Sequence, residues 1–260
     1  MSITGTDART RTAETLRAAG CVFAEDEAAL LLDHATDDES LNLAVARRVS
    51  GVPLEVILGW VMFGEVRVDV AEGVFVPRRR TVFLAATAAE FTAPGAIVVD
   101  MCCGTGAVGL SIALTVPDVE LHAADIDDAA LACARGNLAR VHGHVHSGDL
   151  FDALPSALRG GVDVVVVNAP YVPTAEIALL PTEARDHEPR RALDGGPDGA
   201  DIHRRVSQGA SEWLRLGGTL LIETSRRQAD LTVTAMSDAG LTASHLMSDE
   251  YDATVAVGRI

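Results

Sequence analysis

The residues with the clearest capacity for chemistry stand where one apolar run ends. The run VDVVVV, residues 162–167, is typical of a strand buried on both faces. It is followed by Asn168, Ala169, Pro170 and Tyr171. The side-chain oxygen of Asn168 and the carbonyl of Ala169 are two acceptors. Pro170 stiffens the turn, and the Tyr171 ring can stack on a flat group. These residues could hold a planar nitrogen by both of its N–H groups; an Asn-x-Pro turn with a partly buried tyrosine is the alternative.

A second group of candidate residues lies in a glycine-containing loop after the predicted strand AIVVD. The candidate ligand-binding positions there are Asp100, Cys102, Gly104, Thr105 and Gly106. Ligands of open α/β sheets bind outside the carboxyl ends of the strands, and glycines let the backbone approach them. A dinucleotide-binding loop would read G-x-G-x-x-G, whereas Cys102 stands here in place of the earlier glycine. The loop by itself therefore does not identify the ligand.

Acidic residues at the ends of the next two predicted strands narrow the choice of ligand. The strand LHAAD ends in Asp125, which Ile126 follows, and an acid there can accept both hydroxyls of a ribose. The next strand ends near Asp149 and Leu150, where the carboxylate could accept an amine hydrogen of adenine. Structural alternatives are that Asp149 caps a turn and that Asp127 caps the following helix.

The predicted ligand site lacks a phosphate cradle. No lysine stands where a P-loop needs one, so triphosphate chemistry is not supported. Ribose and adenine contacts without a phosphate cradle point to S-adenosylmethionine. Asp100, at the start of the glycine loop, would then meet the amino group of the methionine part.

The predicted helices and strands around these candidate residues follow an α/β pattern. From about Thr81, helical stretches alternate with about seven strands, which predicts a Rossmann-like, doubly wound, mostly parallel sheet with an antiparallel pair at its end. Before it come short amphipathic helices, one of them with Ser40 as its cap, and a hairpin that turns near Glu72-Gly73. The predicted organisation is a helical domain over 1–58, a hairpin linker over 59–80 and an α/β domain over 81–260.

Composition excludes several other classes of protein. The 260 residues carry 37 acidic and 21 basic side chains, a net charge of −16, which opposes direct binding of nucleic acid. The four cysteines have no metal-binding spacing, so no metal is expected. Without a signal peptide or a long apolar run, the sequence predicts a reduced, soluble, cytoplasmic protein with no membrane partner. Nothing in the sequence sets an oligomeric state.

Four segments together resemble one family of enzymes. The glycine loop followed by Asn-Ala-Pro-Tyr is similar to the amino-methyltransferases that carry an Asn-Pro-Pro-Tyr motif. The upstream run over Gly51–Thr81 and the segment ALDGGPDGAD, Ala192–Asp201, resemble the HemK/PrmC group. That group comprises the protein-(glutamine-N5) methyltransferases that act on peptide-chain release factors. The resemblance covers nearly the whole chain, with the first forty residues weakest.

The resemblance implies that the helical domain over 1–58 is a substrate-recognition domain and that the domain over 81–260 is a methyltransferase domain. It also implies a reaction and roles for single residues. S-adenosylmethionine would be the methyl donor, S-adenosylhomocysteine the product, and a glutamine in the Gly-Gly-Gln loop of a release factor the acceptor. The tetrapeptide 168–171 would be catalytic, with Asn168 also near the cofactor. Asn168 and Tyr171, together with Pro77 and Arg78, would receive the protein substrate. An Arg78 that pairs with an acid to fix the junction between domains is the alternative.

Three departures from the family pattern indicate a divergent branch. Ala169 replaces the first proline of the motif, Cys102 replaces a glycine, and Val82 stands where an acid is common. Two other acceptors therefore stay open: a small molecule or peptide metabolite, and the exocyclic amine of adenine, which the acidic charge opposes. His187 lies on a polar loop and is assigned no catalytic role.

Overall fold

The computed structural model describes residues 6–260, so the first five residues of the predicted N-terminal domain lie outside the described part. Four helices open the chain: α1 (Thr6–Ala18), α2 (Ala24–His34), α3 (Asp38–Val49) and α4 (Leu54–Leu58). They share an apolar core around Leu16, Leu31 and Ile57. A small helical unit forms at the N-terminus because each short helix has one apolar face to bury.

The start of α3 differs from the prediction that Ser40 is its cap. Asp37 occupies the cap position and accepts a hydrogen bond from the Ser40 amide at 2.8 Å. The Ser40 hydroxyl in turn accepts from the Asp37 amide at 3.1 Å. The prediction was wrong because both residue types can cap, and this reciprocal pair fixes the helix start three residues earlier.

A two-stranded hairpin follows the helices, but its turn is not where the sequence suggested. Strands β1 (Trp60–Phe63) and β2 (Val66–Asp69) pair antiparallel, so the chain turns at Gly64-Glu65 and not near Glu72-Gly73. Gly64 supplies the positive φ of 59° that the tight turn needs. Phe63 and Val68 of the hairpin pack into the main apolar core. The domain boundaries at residues 58 and 80 stay a prediction.

The rest of the chain forms one seven-stranded sheet with helices on both sides. Its strands are β3 (Ile97–Met101), β4 (Glu120–Asp125), β5 (His144–Ser147), β6 (Val162–Val167), β7 (Leu214–Thr224), β8 (Thr242–Ser248) and β9 (Ala253–Arg259). Its helices are α5 (Thr81–Glu90), α6 (Ala107–Thr115), α7 (Asp128–Leu138), α8 (Thr182–His187), α9 (Asp201–Trp213) and α10 (Ala229–Asp238). The predicted fold class is confirmed.

The strand order β5-β4-β3-β6-β7-β9-β8 places the switch of direction between β3 and β6. All neighbours are parallel except β9, which runs antiparallel to β7 and β8. In such a sheet, the crevice outside the carboxyl ends of the strands at the switch point is where ligands bind. The predicted antiparallel pair at the end is therefore confirmed.

The valine run of β6 is buried on both faces, as its composition predicted. Val164 and Val166 pack into the core beneath α5, α6 and α7, whereas Val165 and Val167 pack toward α9 and α10. Successive side chains of a strand point to opposite faces, so a strand between two helical layers needs apolar residues throughout. Within residues 6–260, every helix is too short or too polar to cross a bilayer.

Candidate active site

A cavity of about 640 Å³ opens at the carboxyl edge of the sheet. It brings together most of the positions that the sequence singled out: Pro77, Arg78, Asp100, Cys102, Gly104, Thr105, Asp125, Ile126, Asn168, Ala169, Pro170 and Tyr171. Three others, Gly106, Asp149 and Leu150, do not line it. Because β3 and β6 are neighbouring parallel strands, the glycine loop that follows β3 and the Asn-Ala-Pro-Tyr turn that follows β6 lie side by side in this cavity. We call these two parts of the cavity its glycine-loop end and its Asn-Ala-Pro-Tyr end.

Asp100 is a buried acid at the end of β3. Asp100 is only 2% exposed, and its Oδ2 accepts a hydrogen bond from the Gly109 amide of α6 at 2.8 Å. The pKa of Asp100 is raised to about 7, chiefly by burial; the hydrogen bond from the Gly109 amide lowers it, and the nearby charge of Asp125 contributes to the rise. A cationic group placed beside this carboxyl would favour its ionised form.

Asp125 shapes the glycine loop while keeping capacity for a ligand. Its Oδ2 accepts the Gly104 amide at 2.9 Å, and its Oδ1 accepts the Asp127 amide at 2.9 Å. Burial raises its pKa. Because an ionised carboxylate has about four acceptor sites, two further hydrogen bonds remain possible from ligand hydroxyls.

The glycine loop itself leaves room and an unused polar atom for a ligand. Gly104 has a φ of 54°, and nothing lies within 4 Å of where a Cβ would stand. The Thr105 hydroxyl is buried and has no hydrogen-bond partner. Gly106 has a different reason to be glycine, because a Cβ there would lie 3.0 Å from Leu138 Cγ. Open space over Gly104 and a free buried hydroxyl fit a polar ligand at this end.

Cys102 lines the cavity in a conformation that glycine would adopt more easily. Its φ is 58°, in the left-handed region, although it replaces a motif glycine. Burial raises the pKa of both the Cys102 and Cys103 thiols, so neither is a thiolate nucleophile at neutral pH. The cysteine pair therefore contributes to the shape of the loop and not to its reactivity.

Asp149 and Leu150 lie outside the cavity lining, at the end of β5. The Asp149 carboxylate pairs with Arg205 at 2.8 Å, and both side chains are about half exposed. Leu150 has a left-handed φ of 52°. An adenine contact at this position stays a prediction. Asp127, by contrast, does cap α7, because its carboxylate accepts the Ala129 amide at 2.8 Å.

At the other end of the cavity, the Asn-Ala-Pro-Tyr turn is tied to its surroundings through its side chains. Asn168 Nδ2 donates to the hydroxyl of Thr81, at the start of α5, over 3.3 Å. The Tyr171 hydroxyl donates to Glu223 Oε1 of β7 at 3.3 Å. Burial raises the pKa of Tyr171, so its hydroxyl stays protonated at neutral pH. Ala169 is 2% exposed, and its small side chain fits where the family has proline.

Two glycines hold a loop close against this turn. A Cβ on Gly195 would lie 2.7 Å from Tyr171 Cα, and one on Gly199 would lie 2.2 Å from the Tyr171 carbonyl oxygen. That carbonyl also accepts from Gln228 Nε2 at 2.8 Å. The segment ALDGGPDGAD therefore packs directly against the Asn-Ala-Pro-Tyr turn. A larger residue at either glycine would displace Tyr171.

The rim of the cavity carries an ion pair that sequence reasoning left as an alternative. Arg78 Nη2 lies 2.6 Å from the buried Glu188 Oε1, and that oxygen also accepts the Val76 amide. Arg48 of α3 joins the same side of the molecule through Glu27 and Glu183, each at 2.6 Å. Arg78 thus lines the cavity and pairs with an acid at the same time. The N-terminal helices are fixed to the loop that carries α8.

Four residues of this site were missed by sequence reasoning: Thr81, Glu188, Glu223 and Gln228. Glu223 could have been found, because a single acid near the end of the apolar strand TLLIET stands at the same edge as Asn168. Glu188 could not, since it lies 110 positions from Arg78. His187, at the end of α8, lies beside Gly51 and does not line the cavity.

Comparison with known proteins agrees with this geometry. The family model described as Methyltransferase small domain matches residues 62–184. The chain is 37% identical over 245 residues to the release factor glutamine methyltransferase of Mycolicibacterium smegmatis, covering 87% of this chain and 86% of that protein. It is 36% identical to the protein of the same name from Gloeobacter violaceus, over 75% of this chain and 70% of that protein.

A solved structure supports the fold at lower identity. The crystal structure of a methyltransferase from Pyrococcus furiosus superposes with a TM-score of 0.57 and 13% identity, over 74% of this chain and 87% of that one. This likeness concerns the architecture alone. Membership follows from the sequence relatives, because identity above one third extends over most of both chains. The chain belongs to the release factor glutamine methyltransferase family and is a methyltransferase.

Proposed function

We propose that this protein transfers a methyl group from S-adenosylmethionine to the side-chain amide nitrogen of a glutamine in a peptide-chain release factor, in the cytoplasm. The observation that carries the proposal is the Asn168 amide, which lines the cavity and is held by Thr81 beside Ala169 and Tyr171. The names of the relatives, which span most of this chain, support the same acceptor.

The acids at the glycine-loop end fit the cofactor. S-adenosylmethionine, when bound, supplies a methyl group activated by a sulfonium charge. Asp100 would meet the cationic amino group, because a buried carboxyl with a raised pKa gains stability from a neighbouring cation. Asp125 would accept ribose hydroxyls through its remaining lone pairs. Ile126, 61% exposed on the cavity wall, offers an apolar surface to a flat base.

The Asn-Ala-Pro-Tyr end fits a planar amide. An amide nitrogen is a poor nucleophile because its lone pair is shared with the carbonyl group. Asn168 Oδ1 and the Ala169 carbonyl can accept its two N–H groups, which holds the nitrogen in line with the methyl group. Tyr171 can lie against the flat face of the amide. These residues act through positioning and electrostatics, and the proton is lost after transfer.

The departures from the family pattern leave both proposed acceptors, Asn168 Oδ1 and the Ala169 carbonyl, in place. Ala169 keeps the backbone carbonyl, and Pro170 still restricts the turn. Val82 lies on α5 one residue after Thr81, whose hydroxyl makes the contact with Asn168. The chain therefore retains both acceptors that an amide substrate needs.

Pro77 and Arg78 are proposed to receive the polypeptide around the acceptor glutamine, together with the helices of residues 1–58. Arg78 stands at the rim, where its pair with Glu188 holds the guanidinium in place. The ion pair between Arg48 and Glu183 joins the helical unit to the same rim, so a bound protein would meet one continuous surface.

A transfer assay tests the proposal. Purified protein is incubated with S-adenosylmethionine labelled on its methyl group and with a release factor, and incorporation is compared with a release factor whose Gly-Gly-Gln glutamine is changed to alanine. Label should enter the first protein and not the second, and Asn168→Ala enzyme should transfer almost none. Label confined to a small-molecule fraction of a cell extract would instead assign the enzyme to a metabolite.

A further inference from the structure

Gln228 is a polar residue of the cavity wall whose side-chain N–H groups are both used inside the protein. It stands at the start of α10 and lines the cavity. Its Nε2 donates to the Tyr171 carbonyl at 2.8 Å and to the Asp198 carbonyl at 2.9 Å. Its Oε1 accepts from the Ser225 hydroxyl. A side-chain amide has two N–H hydrogens, so Gln228 lies at the cavity with no donor left for what enters it.

The surroundings of this side-chain amide fix which way it faces. Both groups next to Nε2 are backbone carbonyls, which only accept, so the NH2 side must point to them and Oε1 to Ser225. The backbone of Gln228 is held as well. Its N–H donates to the Ser225 carbonyl at 3.0 Å, and its carbonyl accepts from the Thr232 hydroxyl at 3.1 Å. The side chain therefore extends from a fixed base in one orientation.

The two carbonyls that Gln228 joins belong to different segments of the chain. Tyr171 ends the Asn-Ala-Pro-Tyr turn, and Asp198 lies in the segment ALDGGPDGAD. The two segments run side by side beyond the turn, where the Val172 amide donates to the Leu193 carbonyl at 2.9 Å. Gln228 adds a connection at Tyr171 itself, one residue closer to the acceptor oxygens of the turn.

The loop at Gly199 is shaped to let Gln228 reach Tyr171. Gly199 has a positive φ of 78°. A Cβ there would lie 2.2 Å from Gln228 Nε2 and 2.2 Å from the Tyr171 carbonyl oxygen. No side chain fits at that distance, so the hydrogen bond between the two atoms requires glycine at this position.

We propose that Gln228 is a positioning residue for methyl transfer: by joining the carbonyls of Tyr171 and Asp198, its side-chain amide fixes where the Asn-Ala-Pro-Tyr turn stands in the cavity. The proposal rests on the proposed function, since it concerns the placement of the groups that would orient an amide substrate. Gln228 acts through the backbone of Tyr171, two residues after the Ala169 carbonyl. Misplacement of a reacting group by about 1 Å can lower a rate on the order of 100-fold.

Gln228→Met tests the proposal, because it removes the amide and keeps an unbranched side chain of similar length. We expect kcat for release-factor methylation to fall on the order of 10- to 100-fold. The dissociation constant for S-adenosylmethionine should change by less than about threefold, since Asp100 and Asp125 are untouched. Arg226→Ala is the matched control. Arg226 belongs to the same short helical turn, pairs with the exposed Asp249 and does not line the cavity, so this variant should keep kcat within about twofold of the wild type.

Hydrogen exchange gives a readout that does not depend on turnover. The amides of Val172 and Thr174 each donate to a carbonyl of the segment ALDGGPDGAD at 2.9 Å. Without Gln228 to hold the two segments together at Tyr171, these amides should exchange on the order of 10-fold faster. The rate should be unchanged in Arg226→Ala, and amides of β6 should be unaffected in both variants.

Ser225 supplies a second, dependent variant. Ser225→Ala removes the hydroxyl that Gln228 Oε1 accepts from, and should lower kcat about 3- to 10-fold. In the double variant Ser225→Ala/Gln228→Met, the serine change should cost less than about twofold more, because its hydroxyl acts only through the Gln228 amide. Losses that multiply would mean that Ser225 acts by another route and would contradict the chain of contacts.

The outcomes separate this inference from the proposed function. If the wild-type protein does not methylate a release factor, the proposed function fails and the inference falls with it. If it does, a Gln228→Met enzyme as fast as Arg226→Ala overturns the inference alone, as does a loss of kcat without faster exchange or faster exchange without a loss of kcat. Should Gln228→Met not fold, Gln228→Glu applies the same test, since an ionised carboxylate keeps the shape and cannot donate to the two carbonyls.

Discussion

The two ends of the cavity handle charge in opposite ways. At the glycine-loop end, two acidic residues, Asp100 and Asp125, line the cavity. At the other end, the Asn-Ala-Pro-Tyr turn itself is uncharged, and the carboxylate of Glu223 lies behind it, bonded to the Tyr171 hydroxyl. A cationic group gains from a neighbouring carboxylate, whereas a neutral amide is oriented by fixed acceptors that match its two N–H groups. Under the proposed function, β3 and β4 carry the cofactor side of the cavity, and β6 carries the side where the methyl group is transferred.

The largest effect on the rate of methyl transfer should come from removing the side-chain acceptor of Asn168. Asn168→Ala should lower kcat on the order of 10³-fold, since a preorganised polar group at the reacting atom is worth that much. Affinity for S-adenosylmethionine should weaken by no more than about tenfold, because the acids at the other end remain. Single-turnover rates and calorimetric titration measure the two. Equal losses in both would contradict the separation of the two ends.

Asp100→Asn should change how the stability of the cofactor-free protein depends on pH. The pKa of Asp100 is about 7 when folded against an ordinary value of 3.8, so the unfolded chain releases this proton first as pH rises. The wild-type free energy of unfolding therefore loses up to about 4 kcal/mol between pH 4 and pH 7 through this group. The asparagine variant lacks that loss and still accepts the Gly109 amide.

Thermal or urea unfolding across this pH range, without cofactor, measures the difference between the two proteins. The free energy of unfolding of the variant should rise relative to that of the wild type as pH rises to 7, and the difference should then stay constant. Parallel curves for the wild type and the variant would show that Asp100 is ionised in the folded protein throughout.

Asp125 and Asp149 form a matched pair at the ends of adjacent strands. Asp125→Ala should weaken S-adenosylmethionine binding about 10- to 100-fold, because a buried charged acceptor is lost and the Gly104 amide loses its partner. Asp149→Ala should weaken it by no more than about threefold, since this acid is half exposed and already paired with Arg205. Titration of both variants gives the comparison, and a larger loss at Asp149 would restore the adenine contact predicted from the sequence.

The smallest of these effects concerns the shape of the loop. Cys102→Gly should leave stability within about 0.5 kcal/mol of the wild type, because a φ of 58° suits glycine and offsets the lost side chain. Cys102→Val should cost about 2 kcal/mol, since a β-branched residue is poorly accommodated there. Denaturant unfolding compares them; a valine variant as stable as the glycine variant would remove the strain argument.

Sequence reasoning succeeded where a pattern is local and failed where partners are distant. The valine run 162–167 predicted a two-faced strand because burial on both sides leaves only apolar residues. About seven strands and an antiparallel pair at the end were predicted, but no segment was assigned to β8, since its residues include the exposed Leu246 and Met247, which obscure the usual alternation. The hairpin turn was misplaced because two glycines, Gly64 and Gly73, both suit a turn and only the pairing of β1 with β2 selects the first.

The site divides in the same way. Asp100, Asp125 and Asn168 could be predicted from their positions at strand ends, where the fold brings side chains together. The hydrogen bonds from Asn168 to Thr81 and from Arg78 to Glu188 could not, because they join residues 87 and 110 positions apart. Which residues hold a site in place depends on tertiary contacts that a motif does not record.

Peptide mass spectrometry of a release factor after reaction identifies the residue that receives the methyl group. The wild-type enzyme, S-adenosylmethionine and release factor are incubated, and the peptide that contains the Gly-Gly-Gln loop is fragmented. We expect a mass increase of one methyl group on the glutamine side chain with the wild-type enzyme and no increase with the Asn168→Ala enzyme. A methyl group on any other residue, or none on the release factor while another acceptor in a cell extract is methylated, would contradict it.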